Sequence, residues 1–305
     1  MSERTLDIVV LGATGFTGSE VCLHLARSIH HGQWNGISWG IAGRSQERME
    51  EKVLSRLRNE GLPTPSEIFC VDNADRDALR ACLSRSRLCL NCTGPYRFLG
   101  ESVVHACIDV GVDYIDLCGE PEFMQRMVLK YRNQAEAKQV LIMHACAFDS
   151  VPADLGSIYA ARQFKLPSTC SSVASYLTIN TGSAGLVGHA TTFEAAVYGF
   201  GSASELRSIR KEVQAKYPPA EIPRVGNRPV DKAGPFYEDH NAVQSFSFKF
   251  PGADASVVRS TQNGLAERGQ GKGLCPHYSA FFTVGGWWGA SLMSLYGGVF
   301  QTLAR

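Results

Sequence analysis

Residues 11–18 read LGATGFTG and follow the apolar run Ile8-Val9-Val10, so glycines fall at 12, 15 and 18 directly behind a strand-like segment. The amphipathic stretch TGSEVCLHLARSI comes next. A glycine-rich turn between a first strand and a helix lets backbone N–H groups at the helix N-terminus approach an anion. The architecture that repeats this device is an open parallel sheet with helices on both faces. Gly12 suits the tight turn, Gly15 the close approach of a pyrophosphate, and Gly18 the packing of helix on strand, while Thr14 and Phe16 complete the same turn. The spacing is G-x-x-G-x-x-G, and its weight comes from its place after the first strand of a longer alternation.

That alternation runs through the first half of the chain. Apolar runs at LDIVVLG, ISWGIAG, EIFCVD, RLCLNCTG, DYIDLCG and VLIMHAC are separated by amphipathic stretches such as SQERMEEKVLSRLRNEG. Short, continuously apolar strands between helices imply parallel strands covered on both faces, a doubly wound α/β domain of Rossmann type over residues 1–150. Beyond residue 150 the rhythm changes. SSVASYLTIN and AVQSFSFKF alternate, with Phe246, Phe248 and Phe250 on one face and Ser245, Ser247 and Lys249 on the other. A period of two predicts an antiparallel sheet with one buried face, hence a second, α+β domain over residues 151–305 for substrate binding or dimerisation. Glu205 to Pro235 is rich in Pro, Lys and Arg and without period, which predicts a loop or lid whose charges lie in solvent.

The end of the second strand selects the dinucleotide. An acid there bonds the ribose 2′-hydroxyl of NAD, and an Arg accommodates the 2′-phosphate of NADP. IAGRSQ offers Arg44 and Ser45 and no acid, which favours NADP over NAD; Ser45 also suits a helix cap, a role compatible with phosphate binding. Asp72 at the end of FCVD is placed to approach the adenine, and Thr93 and Gly94 in NCTGPY the nicotinamide half.

In an open α/β sheet the ligand crevice lies outside the carboxyl ends of the strands. That rule gathers Tyr96, Asp116, Glu120 and Asp149 around one mouth as candidate proton donors to a reduced substrate. Each carboxylate has a plain alternative: Asp149 or Ser150 as a cap on VPADLGSIYAARQF, and Glu120 as a cap or turn residue. No tyrosine has a lysine four residues later, so the Tyr-x-x-x-Lys pair of short-chain dehydrogenases is missing. Cys92, at the end of an apolar strand, reads as a buried, inert thiol rather than a nucleophile.

The remaining composition narrows the setting. A formal net charge of +1 and 44% hydrophobic residues in 305 describe an ordinary globular chain without a nucleic-acid surface. The N-terminus lacks the long apolar stretch of a signal peptide, so an intracellular, cytoplasmic location is expected. Ten cysteines read as reduced thiols. Cys89 and Cys92 form a C-x-x-C, but in a strand that separation turns the two side chains to opposite faces, and no metal site is assigned. From Tyr278 to Ala304 there is no charged residue, while Gly285, Gly286, Gly289, Gly297 and Gly298 thin the run. A strand followed by an interfacial or dimer-forming helix is expected there in preference to a membrane span, with Trp287 and Trp288 suited to a membrane interface.

GATGFTG, AGRS, NCTGPYRFLGESVVHACIDVGVDYIDLCGE and FDSVPADLG resemble the saccharopine dehydrogenase-like oxidoreductases, relatives of saccharopine reductases and of trans-acting enoyl reductases. The likeness continues through YGFG, DASVVRSTQ and FTVGG. It implies a Rossmann domain with an inserted α+β domain, nicotinamide-dependent reduction, and in animal-type members an association with lipid droplets or membranes. Family members run on well beyond this length, so a truncated member is expected, and Ala147 stands where the family has Gly. The expected activity is NADP-linked hydride transfer to a lipid-like enoyl or keto substrate, or to an imine. The alternative is a catalytically silent nucleotide-binding scaffold or sensor at lipid droplets or membranes. An apolar substrate is favoured because residues 171–201 carry no Arg or Lys to meet carboxylates.

Overall fold

A computed structural model describes residues 4–165, 167–180, 183, 197–199, 201–229, 235–240 and 243–303. The chain forms two compact units, Met1–Cys118 with Phe123–Cys146, and Gly119–Glu122 with Ala147–Arg305.

The first unit holds six parallel strands, β1 (Leu6–Leu11), β2 (Trp39–Gly43), β3 (Glu67–Cys70), β4 (Ser86–Asn91), β5 (Asp113–Asp116) and β6 (Ile142–Met143), in the order β3-β2-β1-β4-β5-β6. This is the Rossmann order, in which the direction of strand addition reverses between β1 and β4. Register is set by runs that are apolar throughout: Val9 stands opposite Gly40 on one side and Cys89 on the other. Helix α1 (Phe16–His30) buries Cys22, Leu23 and Ala26 against Val10, Ile41 and Met49. The second crossover helix runs as α2 (Gln46–Met49), a π-helical segment (Glu50–Leu54) and α3 (Ser55–Asn59). Helices α4 (Arg76–Leu83), α5 (Tyr96–Val110) and α6 (Pro121–Lys138) follow. Local chemistry marks their ends: Ser45 accepts from the Arg48 N–H at 3.2 Å, Asp75 caps the first turn of α4, and Gly111 closes α5 at φ +71°.

The second unit contains α7 (Val151–Arg162), β7 (Ser172–Leu177), α8 (Ala203–Lys216), β8 (Phe236–His240), β9 (Val243–Lys249), α9 (Asp254–Glu267), β10 (His277–Val284) and α10 (Gly286–Leu303). Its sheet has the order β7-β10-β9-β8. The expected antiparallel sheet is only partly what forms. β9 pairs antiparallel with β8 and β10, but β7 and β10 run parallel, because the helices between them return the chain to the same end. Aromatic pairs tie the strands across the register, Phe248 on Phe282 at 5.4 Å and Tyr176 on Phe281 at 5.3 Å between ring centroids. Ser247, expected on a solvated face, is fully buried.

The aperiodic stretch from Glu205 is a second correction. Residues 203–216, ASELRSIRKEVQAK, form the helix α8. The prolines at 218, 219, 223, 229 and 235 all follow it, so composition averaged over the whole stretch hid a helical first third. In α10, Trp287 is 76% and Trp288 90% exposed, and Trp287 packs edge-on against Phe246 at 4.7 Å. Among the described residues no helix is long and apolar enough to cross a membrane.

Candidate functional site

The glycine turn sits at the carboxyl end of β1, where the strand order reverses. Gly12 adopts φ +82°, and a Cβ there would stand 2.6 Å from Thr93 Cγ2. The N–H groups of Gly12 and Ala13 donate to the Ala42 carbonyl at 2.9 and 3.2 Å, tying the turn to β2. A Cβ on Gly18 would lie 2.1 Å from the Gly12 carbonyl oxygen, so only glycine lets α1 pack onto the turn. Gly15 differs. Its own Cβ position meets only the Gly12 oxygen, at 3.2 Å, and the side toward solvent is open.

Gly15 is also the N-cap of α1, supplies no side-chain cap, and no acidic residue follows in the first turn. The first-turn N–H groups of a helix have no partner within it, and Gly15 carries no side chain to cap them. Phe16, 67% exposed, and the half-buried Thr14 flank this opening. The turn therefore fits a pyrophosphate by shape and by dipole.

Arg44 is exposed at the end of β2, and no hydrogen bond or ion pair engages its guanidinium among the described residues. Its carbonyl accepts from the exposed Cys70 Sγ at 3.3 Å, and neighbouring Ser45 caps α2. Asp72 is exposed and its carboxylate accepts from the Ala74 N–H at 3.0 Å. Thr93 and Gly94 lie beyond β4, beside the turn.

Behind Thr93 runs a hydrogen-bonded chain across the strand ends. Asn73 Nδ2 donates to Thr93 Oγ1 at 3.1 Å, and Thr93 donates through N–H and hydroxyl to Asn91 Oδ1. Asn91 Nδ2 donates to Tyr114 Oη at 3.1 Å, and Tyr114 donates to Asp116 Oδ2 at 2.8 Å. Asp116, fully buried, also pairs with His144 Nδ1 at 2.6 Å and accepts the N–H groups of Cys118 and Ala145, each at 3.0 Å. Tyr96 is buried beside it, its hydroxyl donating to the Asn91 carbonyl at 2.9 Å and accepting from the Leu117 N–H at 3.3 Å. Burial pushes the Tyr96 and Tyr114 phenols well up, and the Asp116 carboxylate adds to both. Two of the four expected proton donors thus lie inside the end of the first unit's sheet, holding its loops.

Glu120 and Asp149 belong to the second unit. Glu120 is buried. Asp149 Oδ1 accepts from the Ser150 hydroxyl at 2.7 Å, and its Oδ2 is flanked by Gly119 and Gly252, where added Cβ atoms would stand 3.1 and 3.2 Å away. Against it lies Asp254, the first residue of α9, whose carboxyl is pushed up to about 6. Burial is the main cause, with the Asp149 carboxylate adding and Ser150 opposing. Asp154 accepts from Thr261 Oγ1 at 2.8 Å, and burial raises its carboxyl too. Tyr278 completes the group: its hydroxyl lies 2.6 Å from Ser175 Oγ, and burial with these carboxylates pushes it to about 12.

Sequence reasoning did not single out Asp254, Tyr278, Tyr114 or His144. Asp254 opens DASVVRSTQ, a segment noted only for resemblance, and Asn91 and His144 are single polar residues in otherwise apolar runs.

The family described as the saccharopine dehydrogenase NADP binding domain matches residues 8–143. The chain is similar to the saccharopine dehydrogenase-like oxidoreductase of Mus musculus, 39% identical over 288 residues, covering 93% of this chain and 65% of that protein. It is similar to a lipid droplet localized protein of Caenorhabditis elegans, 32% identical over 260 residues, covering 84% and 59%. It is also 38% identical over 159 residues to a Mycobacterium tuberculosis protein named as a trans-acting enoyl reductase, covering 52% of this chain and 36% of that one. The chain spans 65% of the length of the mammalian relatives it matches. Residues 8–143 are an NADP-binding domain.

Proposed function

We propose that this chain is a member of the saccharopine dehydrogenase-like oxidoreductase family it resembles over 93% of its length, and that it transfers a hydride between NADP and an apolar, lipid-like enoyl or keto substrate, or an imine. The observation that carries this reading is the glycine turn of Gly12, Gly15 and Gly18 at the N-terminus of α1, whose N-cap Gly15 offers no side-chain cap, with Arg44, unengaged among the described residues, at the end of the adjoining strand. Gly12, Thr14, Gly15, Phe16 and Gly18 receive the pyrophosphate, Arg44 and Ser45 the 2′-phosphate, Asp72 the adenosine half and Thr93 with Gly94 the nicotinamide half. NADP supplies the hydride when bound.

Within the second unit Asp149 and Asp254 face each other, and the Asp254 carboxyl, pushed up to about 6 chiefly by burial, exchanges its proton in the mildly acidic range. Tyr96 and Asp116 are assigned a positioning role, since Asp116 holds Tyr114, His144 and the N–H groups of Cys118 and Ala145, and the Tyr96 hydroxyl bridges the Asn91 carbonyl and the Leu117 N–H. A lipid-like substrate draws support from the enoyl reductase relative and from the exposed Trp287 and Trp288 of α10, which suit a lipid or droplet surface. NADPH oxidation with enoyl lipids, keto lipids and saccharopine as substrates tests the reading. Saccharopine turnover with none of the lipids overturns the substrate class; NADPH binding without any turnover leaves a nucleotide-sensing scaffold.

Arg44→Ala is expected to weaken NADPH by about 1.5 to 3 kcal/mol, the range for a charge-assisted, bidentate contact, and to leave NADH nearly unchanged. Fluorescence titration of both cofactors checks it, and an unaltered NADPH/NADH ratio removes Arg44 from the site.

The Asp254 shift has a definite sign. Its folded value of about 6 lies above the ordinary 3.8, so the fold favours the neutral carboxyl. That stabilisation is complete below about pH 4 and is lost as pH rises through about 6. Asp254→Asn, neutral at every pH, is expected to melt higher than wild type at pH 8 and alike at pH 4. Scanning calorimetry at the two pH values measures this, and an identical difference at both refutes the assignment.

A further inference from the structure

Three guanidinium groups of the second unit gather on one face of α9. Arg259 lies on α9 between Ser256 and Gln262, and spacing by three places all three residues along one helix surface. Arg210, from α8, donates through Nη2 to Ser256 Oγ at 2.8 Å. Arg224, from the segment after α8, donates through Nη2 to Gln262 Oε1 at 2.8 Å. Gln262 is itself 3% exposed, and its Nε2 donates to the Pro276 carbonyl at 2.8 Å, which fixes the amide that holds Arg224. The two anchors, Ser256 and Gln262, thus lie one helical step before and after Arg259, and the Arg259 charge acts on both guanidinium groups.

Among the described residues no carboxylate pairs with Arg210, Arg224 or Arg259. Burial lowers the affinity of Arg210 and Arg224 for their protons, and the Arg259 charge lowers both further, with Arg228 adding at Arg224. Like charges brought together, partly desolvated and uncompensated, cost free energy that a bound anion returns. Each anchored guanidinium spends one N–H bond on its anchor and keeps the rest of its five-donor fork for a ligand.

We propose that Arg210, Arg224 and Arg259 form a binding site for a phosphate-bearing ligand. A carboxylate carries one charge and is met by one bidentate arginine, whereas three converging cations match the two charges and three terminal oxygens of a phosphate monoester. The site rests only on the second unit's own residues and does not depend on the hydride-transfer reading. The phosphate arises either from a soluble metabolite or from a lipid headgroup, and the same three side chains serve both.

Isothermal titration of the full chain with inorganic pyrophosphate, at saturating NADP⁺ so that the glycine turn is filled, tests the first source. Sedimentation with phosphatidylcholine vesicles, plain or containing phosphatidic acid, tests the second. At least one anionic probe is expected to bind saturably, Arg259→Ala is expected to weaken it about tenfold or more, and Arg259→Lys less. Arg259 is exposed, and circular dichroism confirms that both variants fold; Arg210→Ala provides an independent variant on another helix. Arginine-dependent pyrophosphate binding without vesicle capture assigns a soluble phosphate, and arginine-dependent capture by phosphatidic acid vesicles assigns a headgroup. Failure of both probes overturns the proposal, as does binding that Arg259→Ala and Arg210→Ala leave unchanged. So does retention of an RNA oligomer by the same arginines when neither phosphate probe binds.

Discussion

Gly15→Val is expected to leave the chain folded and to weaken NADP binding by roughly a hundredfold or more, the scale of losing charge-assisted bonds to backbone N–H groups. Gly15 has φ −71° and ψ 166°, a conformation open to any residue, and its Cβ position meets one backbone oxygen at 3.2 Å. The valine methyls then occupy the space before the helix terminus that the pyrophosphate needs. Gly18→Val is the contrasting change. With a Cβ 2.1 Å from the Gly12 oxygen and 2.8 Å from its carbon, backbone must move, and a loss of about 3 kcal/mol or more of stability is expected. Urea unfolding together with NADPH fluorescence titration separates the two. A Gly15 variant that is folded and binds normally refutes the cofactor site, and a Gly18 variant of wild-type stability refutes the packing argument.

Asp116→Ala is expected to cost about 3 to 5 kcal/mol, among the largest effects of any single side chain here. The carboxylate is fully buried and accepts from Tyr114, His144 and the N–H groups of Cys118 and Ala145. Alanine leaves all four donors without an acceptor in a space water does not reach. Tyr96→Phe removes only the hydroxyl between Asn91 and Leu117, and about 1 kcal/mol is expected from its loss. The urea midpoints of the two variants are the measurement. A small effect of Asp116→Ala, with turnover abolished, reverses the positioning role assigned to it and makes it the proton donor.

The first unit was legible because its information is local and repeated. Continuous apolar runs announce parallel strands, and three glycines announce the turn. The chain of bonds from Asn73 to His144 was not legible, because its links between strand ends join residues far apart in sequence: Asn73 and Thr93 are 20 residues apart, and Asp116 and His144 28. Asp254 was hidden in the same way, as a residue that reads as a helix start until the fold sets it against Asp149. Arg210 was hidden by its neighbours: the prolines that follow α8 made a helical cation read as part of a solvated loop. The parallel pairing of β7 with β10 has no local signal, since alternation specifies which face is buried and says nothing of the partner strand.

That pairing governs the order in which the chain can acquire its structure. Strands β1 to β6 each find a neighbour in the sheet within the first 146 residues, so a nascent chain can complete that sheet while the rest is still being synthesised. β7 has no such prospect. Among the described residues its sheet neighbour is β10, and Ser172 waits for His277, with α8, α9 and the strands β8 and β9 intervening along the chain. Closing so long a loop must precede any reward from the contact, which makes the second sheet the slow, non-local step of folding. Until β10 emerges, β7 presents an unpaired, partly apolar edge, the kind of surface that chaperones cover and that neighbouring chains capture.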